Sequence, residues 1–174
     1  DVTVAACLKR AGYRTGLVGK WGLGDEGTTG LPTRQGFDYF YGYLSQLHAH
    51  NYYPAWLWRN EEKVPLQNEV VSLEGSGPRS LGGVSTNRAE YSHDLFTEEA
   101  LRFIGSNRDA PFFLYLAYTV PHANNESGLL HRHGMEVPDY GPYAGEDWPE
   151  TEKGFAAMVS RMDRDVGRIF GRLQ

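Results

Sequence analysis

Apolar positions along this chain change their period several times, and each change predicts an element. Val4, Leu8 and Ala11 recur at helical spacing behind Asp1 or Thr3, either of which can cap the first turn, and Gly12 supplies the stop. Tyr13 to Trp21 reads as a short strand running into a loop. Five glycines and Pro32 between Gly22 and Gly36 exclude regular structure there. Gly36-Phe-Asp-Tyr-Phe-Tyr-Gly-Tyr43 is a dense aromatic patch that is packed rather than exposed, and Trp56 to Val64 predicts a hairpin turning near Asn60. The Ser- and Gly-rich stretch 72–90 predicts a surface loop.

Two later stretches are strongly periodic. Leu95, Phe96, Ala100, Phe103 and Ile104 predict a helix capped by Ser92 or Asp94. Phe155, Met158, Val159, Met162, Val166, Ile169, Phe170 and Leu173 form one stripe of a second, with arginines and aspartates opposite. Between them Pro111-Phe-Phe-Leu-Tyr-Leu-Ala-Tyr118 is almost unbroken in its apolarity, the pattern of a strand buried on both faces of a parallel sheet. The order helix, strand, long loop, helix, strand, loop, helix predicts α/β architecture without internal repeats. The last helix is still running at Gln174, which reads as a segment of something longer.

Composition narrows the picture. The 174 residues are 40% hydrophobic, enough for a core of about one domain. Lys and Arg number 17 against 22 acidic residues, so nucleic-acid binding through phosphate neutralisation is disfavoured. Cys7, the lone cysteine, rules out an internal disulfide and a cysteine-built zinc site, and reads as a small core hydrophobe. No apolar run approaches the roughly 20 residues of a membrane span, and an opening on Asp1-Val-Thr-Val does not read as a signal peptide. Nothing here fixes an oligomeric state.

Candidate chemistry clusters at strand ends. Gly22-Leu-Gly24-Asp-Glu-Gly27 has dinucleotide-loop spacing, but Asp25 and Glu26 would face the pyrophosphate, and Gly30 and Pro32 prevent the helix that should hold it. Gly19-Lys20 fails as a P-loop, because Arg14 stands in place of the first glycine and Trp21 in place of Ser or Thr. Lys20 follows a strand and His122 follows the apolar strand 111–118. If those strands are parallel, both emerge at the edge where open α/β sheets bind ligands, and they form an anion site in which His122 can also pass a proton. His48 and His50 share one side of an extended segment, as a substrate-contact pair or a small metal site. His131 and His133 have the same spacing in polar, turn-rich surroundings and read as surface residues. Asp163 and Asp165 read as a solvated helix face, and Asn125-Glu-Ser127 is a formal glycosylation acceptor.

Taken in order, these segments resemble the sulfatases. Gly12-Tyr-Arg-Thr-Gly-Leu-Val-Gly-Lys-Trp-Gly-Leu-Gly24 is similar to a family signature of the form Gly-Tyr-x-Thr followed by Gly-Lys-Trp-His-Leu-Gly. Gly36 to Gly42, Asp94 to Leu101, Pro111 to Tyr118 with Val120-Pro-His-Ala123, and Met158 to Gly167 follow in the family's order. The resemblance, closest to arylsulfatase A-like enzymes of the alkaline-phosphatase superfamily, implies part of an α/β/α sandwich with a mostly parallel sheet. Residues 1–174 would be the central part of the N-terminal catalytic domain. It implies hydrolysis of a sulfated sugar or aryl sulfate, a calcium ion, a formylglycine nucleophile, and a periplasmic or secreted location for the parent. Lys20 matches the lysine on the sulfate oxygens, and His122 the histidine that contacts sulfate and protonates the leaving alcohol.

Gly22 departs from the pattern, standing where the family has a second histidine, and His48 or His50 is the candidate replacement. The Cys- or Ser-x-Pro-x-Arg nucleophile context is absent, since Leu8-Lys9-Arg10 follows Cys7, and the calcium ligands are expected outside the chain. Two other readings stay open: a phosphoryl or phosphonate hydrolase of the same superfamily, and a non-catalytic module that binds an anion or glycan.

Overall fold

The computed structural model describes residues 1–71 and 82–174. Helix α1 (Val4–Arg10) begins where Thr3 Oγ1 accepts the Ala6 N–H at 3.0 Å and leads directly into β1 (Arg14–Lys20). Strand β1 is the axis of a five-stranded sheet. Strand β2 (Tyr39–Tyr43) pairs with it in parallel on one side, Leu17 opposite Phe40 and Lys20 opposite Tyr43. The aromatic patch therefore contains a strand that periodicity alone does not reveal, because Phe40, Tyr41 and Tyr43 are buried on both faces and no alternation survives. Beyond β2 the pairing turns antiparallel, through β3 (Trp56–Arg59) and β4 (Glu62–Pro65), a hairpin with Asn60 left-handed at φ 54° as the sequence predicts.

Strands β5 (Glu69–Val71) and β6 (Val84–Asn87) form a small antiparallel ribbon. Strand β6 thus lies inside the stretch expected to be loop, while 72–81 fall outside the described residues. Helix α2 (Ser92–Asn107) then leads to β7 (Phe112–Ala117), which pairs in parallel with β1, and the sheet order is β4-β3-β2-β1-β7. The expected α/β class holds: a mixed sheet with a parallel centre, α1 against one face and α2 against the other. Leu17, Phe37, Phe40 and Trp58 pack with Ala5 of α1, whereas Val18, Tyr41, Tyr43 and Leu57 pack with Phe96 of α2.

Helix α3 (Glu150–Leu173) lies across α2. Four expectations are corrected here. Ala157 and Met158 are buried, but Phe155, Phe170 and Leu173 of the predicted stripe are exposed, because no described element reaches that face. Asp165 is buried rather than solvated: it accepts from His93 Nε2 at 3.1 Å and is ion-paired with Arg164 and Arg168, tying α3 to α2. Strand β7 is a sheet margin with Tyr115 exposed, not a strand covered on both sides. Cys7 is exposed as well, on the outer face of α1.

Toward their carboxyl ends the three parallel strands leave no room for a side chain at two glycines. A Cβ on Gly42 would lie 1.8 Å from the Gly19 carbonyl oxygen, and one on Gly19 would lie 2.0 Å from that of Ala117. Glycine is the only residue these two positions accept, and the seam they form ends at Lys20.

Candidate functional site

The sheet delivers Lys20 and His122 to one end. Lys20 closes β1, and the pairing with β2 continues past it through Trp21 N–H to Tyr43 O and Gly22 N–H to Leu44 O, both 2.9 Å. Trp21 is locked by its indole N–H on Gly30 O at 2.8 Å and by an edge-on contact with Phe37. Lys20 lines an open cleft of about 540 Å³ with Tyr118, Val120 and Met162, and among the described residues no carboxylate pairs with it. His122 follows β7 at the same end, exposed on a turn that Tyr52 pins from below, its hydroxyl donating to His122 O at 2.6 Å.

The two histidines of the 48–50 segment separate. They lie on a short 3-10 turn rather than an extended segment, so they do not share a side. His48 is buried between Trp56 and Tyr43, ring centroids 4.6 and 5.0 Å away, and burial pushes its imidazole down to about 4. It is a neutral core residue enclosed by aromatic rings, where the sequence suggests a substrate contact. His50 stacks on His122, centroids 5.1 Å apart and planes 13° from parallel, with its Nδ1 on the Glu126 carboxylate at 3.1 Å. His122 Nδ1 lies 2.7 Å from the Ala123 carbonyl, so that nitrogen carries a proton and Nε2 is left for chemistry. Glu126 lies inside the Asn125-Glu-Ser127 motif, which says nothing of this role, and shares no periodicity with His50, so only the fold reveals it.

Gly22 also has a structural reading. Its φ of 81° is left-handed, and a Cβ there would meet Gln46 Cγ at 2.7 Å, so this backbone does not present a histidine at position 22. His131 and His133 are exposed, as the sequence suggests. A second cavity, about 470 Å³ and lined by Arg14, Tyr39, Glu99 and Phe103 among others, opens at the opposite end of the sheet.

The sulfatase family model matches residues 1–173. The chain belongs to the sulfatase family. Rat arylsulfatase G is 29% identical over 97% of this chain and 32% of its own length, and human arylsulfatase A is 30% identical over 97% and 33%. The crystal structure of Ps i-CgsB superposes with a TM-score of 0.71 at 25% identity, covering 97% of this chain and 35% of that one. The same protein in complex with k-i-k-neocarrahexaose gives 0.70. This sulfatase chain therefore spans about a third of the length of the curated relatives it matches.

Calcium and formylglycine do not fit the residues described. Among these, no group of three or more His, Cys, Asp or Glu side chains could hold a metal ion. Cys7 sits exposed on α1 before Leu8-Lys9-Arg10, outside a nucleophile context. No described helix is long and apolar enough to cross a membrane.

Proposed function

We propose that this chain is the central part of a sulfatase catalytic domain and supplies the anion-binding side of an active site that hydrolyses sulfate esters. The observation that carries the reading is that Lys20 and His122 leave two neighbouring parallel strands at the same, carboxyl end of the sheet, with His50 stacked on His122. Lys20 acts as a point charge on the sulfate oxygens, whose negative charge moves toward the leaving group as the S–O bond breaks. His122, protonated at Nε2, hands that proton to the departing alcohol oxygen. His50 takes the place of the imidazole that Gly22 lacks. The nucleophile and the calcium ligands come from other parts of the parent, which acts in the periplasm or outside the cell. A sulfated glycan is the substrate class supported by the hexaose bound to the related Ps i-CgsB.

The test is kinetic and uses the full-length enzyme. Lys20→Ala lowers kcat/KM for every sulfate ester. His122→Ala costs about 100-fold or more with alkyl or sugar sulfates and far less with activated aryl sulfates, which leave without a proton. An equal loss across leaving groups removes His122 as the acid. Faster turnover of phosphate than of sulfate monoesters replaces the sulfatase reading by the phosphohydrolase one.

A further inference from the structure

Glu126 and His50 are far apart in sequence and meet beneath the candidate site. His50 Nδ1 lies 3.2 and 3.1 Å from the two Glu126 carboxylate oxygens, so its N–H is the donor and the carboxylate the acceptor. Glu126 is only 4% exposed. Its place is built by the backbone: its own N–H donates to Asn124 Oδ1 at 3.1 Å, and Asn124 Nδ2 is anchored on Gly83 O and on the buried carboxylate of Glu136. Gly82 leaves the space, since a Cβ there would stand 3.1 Å from Glu126 Oε2 and 2.7 Å from Leu47 O. His122 lies against the face of His50, its ring nearly parallel and its own Nδ1–H given to Ala123 O.

A carboxylate that engages one imidazole nitrogen with both oxygens sets the tautomer and the ring plane together. We infer that Glu126 is the positioning residue of this site: it accepts the His50 Nδ1–H and holds the ring parallel to His122, so that Nε2 of each ring is the atom left outward, where it donates to the anion when it carries a proton. The inference deepens the sulfatase reading and rests on it for the identity of that anion. The carboxylate itself touches no substrate and acts through His50.

The test begins without substrate. In the full-length enzyme carrying 15N-labelled histidine, long-range 1H–15N spectra report which nitrogen of each imidazole is protonated. His50 is expected with a protonated Nδ1. Glu126→Ala moves it toward the Nε2–H form, and Glu126→Gln, whose side-chain oxygen still accepts, retains the Nδ1–H signature. With an alkyl sulfate as probe, Glu126→Ala and His50→Ala each lower kcat/KM about 10- to 100-fold, the range usual for losing an orienting partner. The double variant falls no further. A wild-type His50 in the Nε2–H form, a His50 signal indifferent to Glu126, or losses that multiply would overturn the inference, and the first of these needs no folded variant. If the tautomer follows Glu126 while the parent hydrolyses no sulfate ester, the positioning role stands and the proposed reaction fails.

Discussion

His48 and His50 stand two residues apart on one turn and finish in opposite chemistry. Unfolded, His48 takes up a proton below about pH 6.5; folded, burial holds it neutral down to about 4. Stability is therefore full above pH 6.5 and declines as the pH falls toward 4, by at most about 3 kcal/mol from this residue. Denaturation of the parent protein across pH 4–7 reads that slope, and His48→Phe should flatten it. His93, whose imidazole burial also depresses, leaves a residual slope of the same sign. The glycine seam gives a second expectation at this scale. Gly42→Ala drives a methyl into the Gly19 carbonyl, and should cost about 3 kcal/mol and lower anion affinity, as melting and sulfate titration would measure. Sequence alone places Lys20 and His122 at strand ends, because the end of an apolar run is a local property. It does not separate His48 from His50, since burial is decided by Trp56 and Tyr43 arriving from elsewhere.

Between α2 and α3 the contact is polar as much as apolar. Burial would raise the Asp165 carboxyl, but Arg164, His93 and Arg168 together bring it below the usual carboxylate range. Arg161 adds a two-pronged contact to Asp94 at 2.7 and 2.6 Å. Asp165→Asn keeps the shape and removes the charge that Arg164 and Arg168 face, and should cost about 3 kcal/mol; thermal unfolding of the parent and faster amide exchange along α3 would register it. Intact stability would mean that Arg161–Asp94 alone docks the helix. The helices, β1, β7 and the Asn60 hairpin are legible from periodicity and turn chemistry. Strand β2 is not, because aromatic residues on both its faces erase the alternation. Asp165 is not either, because a charged residue on a helix gives no local sign that it points at a buried histidine.

At the scale of the molecule, Tyr115, Phe155, Phe170 and Leu173 leave apolar surface open on β7 and α3. The isolated 174-residue chain should therefore associate and unfold over a broad range; a sharp melt of a soluble monomer would show that the sheet is self-sufficient. It should also leave aryl sulfates intact, since the described residues assemble neither a nucleophile nor a metal site. The two margins of the sheet differ in kind. Strand β4 presents Glu62, Lys63 and Pro65, charges and a residue without an N–H, the marks of a finished border. Strand β7 carries no such protection. A sheet bordered in this way favours growth in one direction, beside β7 on the side of His122 and not beside Lys63 of β4. In the proposed site His122 therefore stands nearest the open margin and Lys20 one strand further in, so that a group supplied along that margin meets the imidazole before the ammonium.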